Sequence, residues 1–125
     1  MWPFKTDPNQ EKKMNYRKID DDFAVAGQIT PQQVGGIAAA GFKTIVCARP
    51  DGEEPGQPSF ATIERAAKES GLKAVYVPIS GGIGEGALIR MEDALKTLPK
   101  PMFGYCRSGA RAGSLYAAAK RAAHN

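Results

Sequence analysis

The stretch Met102-Phe103-Gly104-Tyr105-Cys106-Arg107-Ser108-Gly109-Ala110-Arg111-Ala112 constrains the fold of this chain more than any other. It reads as a buried strand, a cysteine, a loop of small residues closed by an arginine, and the start of a helix. A strand-to-helix turn of this kind aims successive backbone N–H groups, and the positive end of the helix dipole, at one point in space. That point is an anion site. With Cys106 at its floor the same field favours the thiolate, and Arg111 adds a full positive charge. A free thiol is barely ionised at neutral pH, whereas such surroundings bring its pKa to about 3.5–7.5. Cys106 is therefore the candidate nucleophile and Arg111 the candidate anion-binding side chain. Arg107, Ser108, Gly109 and Ala110 form the loop between them.

The rest of the chain alternates short apolar runs with helical patterns. Phe23–Ala26 is a short strand ended by Gly27. A helix follows, with Thr30 as N-cap and Pro31 at its first position, running to Ala40 and stopped by Gly41. The pair Gly35-Gly36 inside it suggests close approach to a neighbouring backbone. Lys43–Cys47 is a β-branched interior strand. Ser59 caps a second helix ending at Gly71, and Ala74–Val77 is the third strand. A helix with Leu88, Met91, Leu95 and Leu98 on one face precedes Met102–Tyr105, and a last helix spans about Ala112 to Ala123. Strands joined by helical crossovers require an α/β fold: a mostly parallel sheet of four to five strands with helices on both faces.

In such a sheet the loops leaving the C-terminal strand ends form the ligand crevice. The loop after Cys47 is long and rich in turn residues and offers Arg49, Asp51, Glu53 and Glu54. The loop from Ser80 to Gly86 offers Glu85. Cys47 itself, at the end of a central strand, reads first as an inert buried thiol. Its sharper reading is a resolving thiol or sulfur relay for Cys106, which requires their Cα atoms within about 7 Å.

A length of 125 residues holds one domain. The net charge of +4 is uneven. Residues 1–18 carry five basic and two acidic side chains, leaving twelve basic and eleven acidic in the body. We therefore read 1–18 as a flexible basic extension and 19–125 as the domain, with Met14 a possible functional start and Trp2 and Phe4 free to dock. The near-neutral body shows no basic helix face interleaved with aromatics, which argues against nucleic acid. The single histidine, His124, gives no metal-ligand cluster, so neither metal nor cofactor is expected. No apolar run suits a membrane span or a secretion signal, and two cysteines are too few for a disulfide scaffold. Cytoplasm is the expected compartment.

From about Ile19 to Ala118 the chain resembles the phosphatase-like domain of the beta-lactamase-hydrolase-like proteins, a bacterial domain related to protein tyrosine phosphatases. The segments that carry the likeness are Ala26–Pro31, Ala40–Ile45, Arg49-Pro50-Asp51-Gly52-Glu53, Gln57–Phe60 and Tyr105–Arg111. The resemblance implies a phosphatase-like α/β fold, Cys106 as catalytic cysteine, Arg111 as anion-binding arginine, and Arg49 and Asp51 near the site. Relatives are fused to metallo-beta-lactamase-type domains of sulfide and persulfide metabolism, which implies a persulfide dioxygenase of that type as a partner.

One departure bears on mechanism. Tyrosine phosphatases place five residues between cysteine and arginine, whereas four separate Cys106 from Arg111, and Tyr105 stands where a histidine is usual. The shorter loop is similar to that of many rhodaneses. Phosphoester hydrolysis also needs a general acid, worth about 10²–10⁴ in rate, and only Glu85 or Asp51 is available to supply it. Sulfur transfer needs none, because thiolates and sulfite leave as anions. The sequence thus ranks sulfane-sulfur transfer through a Cys106 persulfide first and phosphomonoester hydrolysis through a cysteinyl-phosphate second. A non-catalytic anion-binding or interaction module comes third. In each enzymatic case the substrate is a small anion or a persulfide.

Overall fold

The computed structural model describes residues 15–123. Five strands form one sheet: β1 (Tyr16–Asp20), β2 (Phe23–Ala26), β3 (Thr44–Cys47), β4 (Lys73–Tyr76) and β5 (Met102–Tyr105). Their spatial order is β1-β2-β5-β3-β4, with β1 antiparallel to β2 and every other pair parallel. The expected architecture stands, with β5, the strand that delivers Cys106, at its centre. All residues of β2, β3 and β5 are buried. Strands covered on both faces read as continuous apolar runs, and these do.

Four α-helices cover the sheet: α1 (Val34–Ala39), α2 (Phe60–Glu69), α3 (Glu85–Thr97) and α4 (Ala110–Ala123). On one face Ile37, Ile63 and Ala67 of α1 and α2 pack with Ala24, Ile45 and Phe103. On the other, Met91 of α3 and Ala112, Leu115 and Tyr116 of α4 pack with Phe23, Val25, Val46 and Met102. Leu88, Leu95 and Leu98 are only partly buried there. Phe23 stacks on Tyr116 with ring centroids 4.2 Å apart. Gly104 makes room for that stack, since a Cβ there would lie 2.6 Å from the Phe23 ring.

The helix expected from Thr30 to Ala40 divides into a 3₁₀ turn, Pro31–Gln33, and the short α1. Two adjacent glycines inside so short a helix weaken it. At Gly35 the expected backbone approach is not found, for a Cβ there would meet nothing within 4 Å. Gly41 and Gly71 do end their helices, with φ of 103° and 81°. Ser59 caps α2 by accepting the Thr62 N–H at 3.2 Å.

The sheet extends further toward the N-terminus than the boundary after residue 18. Tyr16, Arg17 and Lys18 pair with Ala26, Val25 and Ala24 in β1. Tyr16 also meets the edges of Phe42 and Phe103, at centroid distances of 5.4 and 5.6 Å. A second anchor closes the turn after β1. Asp20 accepts the Tyr116 hydroxyl at 2.7 Å and the Asp22 N–H at 2.8 Å, tying the edge strand to α4. Trp2, Phe4, Met14 and the other residues of 1–14 lie outside the described residues.

Candidate active site

The four parallel strands end in register. Ala26, Tyr105, Cys47 and Tyr76 form one row across the sheet, so the segments after them emerge along a single edge. The ladder continues past the strand ends, with Ala48 N–H donating to Tyr105 O and Ile79 N–H to Ala48 O, at 2.9 and 3.0 Å. The loops after β3, β4 and β5 therefore leave the sheet side by side on one edge.

Cys106 leaves β5 with its N–H donating to Ala26 O at 3.2 Å. The chain then turns through Arg107 and Ser108 to Gly109, whose φ of 96° suits glycine alone at low cost. That conformation brings the Gly109 N–H to 3.0 Å from Cys106 Sγ. Helix α4 starts at once with Ala110, and its first N–H groups face the turn without intrahelical partners. A small neighbour is also required: a Cβ on Gly27 would stand 2.9 Å from Arg107 O. Around this turn Arg107, Ser108 and Ala110 are exposed and Gly109 is buried.

Arg111 carries the loop's charge, and a residue from another loop holds it. Its Nη1 donates to Glu53 Oε2 at 2.7 Å and to Ile79 O at 2.8 Å, and its Nη2 donates to Glu53 Oε1 at 2.8 Å. Nε–H and the second hydrogen of Nη2 remain, a parallel pair suited to two oxygens of an anion. Glu53 first, and the adjacent Cys106 further, hold the guanidinium above its ordinary pKa.

Glu53 is shared. Its Oε1 also accepts Arg49 Nε at 2.9 Å. Arg111 and then Arg49 pull its carboxyl down to a pKa of about 2. Arg49 is only 2% exposed, and its two terminal nitrogens donate to Gln28 Oε1, at 3.0 Å, and to Glu54. Burial alone would weaken its charge, but Glu54 and Glu53 more than offset that. The long loop after β3 is thereby fastened to the turn after β2 through Gln28 and to α4 through Arg111.

The remaining expected residues divide clearly. Asp51 is tied into the loop's own frame: its Oδ1 accepts the Phe60 N–H at 2.8 Å, and its N–H donates to the Tyr76 hydroxyl at 2.9 Å. Glu85 is exposed as the first residue of α3 and makes no side-chain hydrogen bond among the described residues. Cys47 packs with Ile37, Ile45 and Phe103 on the face opposite Cys106, which packs with Val46 and Met91. Its Sγ donates to Arg49 O at 3.3 Å, and burial pushes its pKa up. Tyr105 lies on that same far face, with a buried hydroxyl that has no hydrogen-bond partner among the described residues.

Sequence reasoning placed Glu53 at the crevice without a role and passed over Gln28 and Gly27. Nothing local marks Glu53, since its main partner is 58 residues away. The closest available signal was its place in Arg49-Pro50-Asp51-Gly52-Glu53. Among the described residues no group of three or more His, Cys, Asp or Glu is arranged to hold a metal, and no helix is long and apolar enough to cross a membrane.

Known proteins resemble this chain in sequence and in fold. The chain is 36% identical over 100 residues to a beta-lactamase hydrolase-like protein of Agrobacterium fabrum, a match covering 79% of this chain and 23% of that one. The chain thus spans about a quarter of the length of the curated relatives it matches. A candidate phosphatase from Neisseria meningitidis superposes with a TM-score of 0.75 at 31% identity, covering 87% of this chain and 78% of the other. The core catalytic domain of a PP-IP phosphatase from S. cerevisiae shares the fold, with a TM-score of 0.60 at 19% identity over 81% of this chain and 61% of that one. The profile of the phosphatase-like domain of beta-lactamase hydrolase-like protein matches residues 15–123. With that match over the whole of its described residues, the chain belongs to this phosphatase-like family.

Proposed function

We propose that the domain is a cysteine-dependent phosphatase acting through a cysteinyl-phosphate, the reading that the sequence ranks second. The observation that carries it is the state of Arg111, whose terminal nitrogens are engaged by Glu53 while its Nε edge is not used by Glu53 and Cys106 stands close by. A planar fork of that kind binds two oxygens of a phosphoryl group and stabilises charge as it develops in the transition state. The family and the Neisseria relative support the same reading. Cys106 Sγ, which accepts the Gly109 N–H, attacks phosphorus as the P–O bond to the leaving group breaks. Water then cleaves the S–P bond and releases phosphate. The test is turnover of aryl phosphates by the purified protein, abolished in Cys106→Ser and reduced in Arg111→Lys. A protein that turns over no phosphate ester and never gains the mass of a phosphoryl group overturns the proposal.

Sulfane-sulfur transfer remains a second reading because four residues, not five, separate Cys106 from Arg111. A shorter loop presents fewer N–H groups to three equatorial oxygens but is sufficient for a persulfide. Given thiosulfate or glutathione persulfide, the protein should then gain one sulfur on Cys106, and a metallo-beta-lactamase-type persulfide dioxygenase is the partner that reading requires. Under either reading the working compartment is the cytoplasm, where thiols stay reduced.

A further inference from the structure

Of the carboxylates that the sequence offers to the Cys106 loop, Glu53, Glu54 and Asp51 are committed to other bonds. Glu53 accepts three hydrogen bonds from two guanidinium groups, and protonating it would break the clamp that orients Arg111. Glu54 is paired with Arg49. Asp51 spends one oxygen on the first N–H of α2, and its main chain is held by Tyr76. Glu85 stands exposed at the head of α3 and bonds to no residue of the loop. Among the described residues no carboxylic acid, histidine or lysine is hydrogen-bonded into the cradle where a departing oxygen would need a proton. The electrophilic half of the site is built, and the proton-donating half is not.

From this, and resting on the phosphatase reading, we propose that the substrates of this site are phosphoryl donors whose leaving group departs as a stable anion. Esters of acidic phenols, acyl phosphates and phosphoanhydrides belong to that class, and alkyl phosphates do not. In the step, the S–P bond to Cys106 forms as the P–O bond breaks, and the electron pair leaves on oxygen with no proton added. Water then attacks phosphorus, the S–P bond breaks to return the thiolate, and the protons of that water pass to solvent. Neither an oxidant nor a reductant is needed.

The experiment is a series of kcat/KM measurements on the full chain with phenyl, 4-nitrophenyl and 2,4-dinitrophenyl phosphate and with acetyl phosphate. Without a general acid, phenyl phosphate should react slower than 4-nitrophenyl phosphate by about 10²–10⁴-fold, the share that such an acid supplies elsewhere. The ratio between the two esters should be the same in Glu85→Gln. Rates within about tenfold across the series overturn the inference and leave the phosphatase reading standing. So does a Glu85→Gln enzyme slowed on the phenyl ester alone, which would make Glu85 the acid. Failure of every donor in the series, in protein shown to be folded by its thermal transition, overturns the phosphatase reading and this inference with it.

Discussion

Glu53 accepts from both terminal nitrogens of Arg111, at 2.7 and 2.8 Å, across 58 residues of sequence. The long loop after β3 therefore acts on the cradle from outside and sets the angle of the guanidinium. Glu53→Gln offers one acceptor where two are needed and turns an N–H₂ toward a donor. Misplacing a reacting or binding group by about 1 Å costs on the order of 10²-fold in rate. The expected result is a fall of that size in kcat/KM on an aryl phosphate, and Glu53→Asp, too short to reach Arg111, should not restore it.

The same carboxylate gives stability a particular pH dependence. Its pKa falls from 4.5 to about 2 on folding, so the unfolded chain binds the proton more readily than the native one. The contribution is fully present above about pH 4.5 and is lost as pH falls toward about 2. Melting temperatures followed from pH 6 to pH 2.5 should show this loss in the wild type and a shallower fall in Glu53→Gln.

Two glycines stand against atoms that a methyl would displace, one at the Cys106 loop and one in the core. In Gly27→Ala the new methyl meets the main-chain Arg107 O at 2.9 Å and pushes the loop out of shape, so turnover and melting temperature should both drop. In Gly104→Ala the methyl meets the Phe23 ring at 2.6 Å, inside the stack with Tyr116. Overpacking of this kind costs about 1–3 kcal/mol, read in a urea titration as a lower midpoint.

Cys47→Ala tests whether the second thiol takes part. Its side chain lies with Ile37 and Phe103 on the far side of the sheet from Cys106, and its Sγ is bonded to Arg49 O. Aryl phosphate turnover, and any sulfur loading from thiosulfate, should stay within about twofold of wild type if this placement governs. Loss of either would show that sulfur or charge does pass between the two cysteines.

The sheet was legible because β2, β3 and β5 are buried on both faces and write that burial as unbroken apolar runs. β4 sits at an edge with Lys73 exposed, and its start is one residue earlier than the apolar pattern suggests. β1 was missed for a related reason. Tyr16-Arg17-Lys18-Ile19-Asp20 is almost wholly exposed, and its place depends on pairing with β2 and on Tyr16 lying against Phe42 and Phe103. The Cys106 loop was legible as a contiguous motif. The clamp through Glu53, Arg49 and Gln28 was not, because it joins three loops whose only common property is leaving the same sheet edge.

Tyr105, the last residue of strand β5, and Cys106, the residue that follows it, fall on opposite layers of the molecule. Which layer receives the nucleophile is thus a matter of odd or even count along the strand. One residue inserted or deleted between Met102 and Cys106 would exchange the phenol and the thiol, burying sulfur under α1 and α2 and setting a tyrosine where the anion belongs. Helices around this sheet can lengthen or shorten by degrees, but the central strand admits changes only in steps of two.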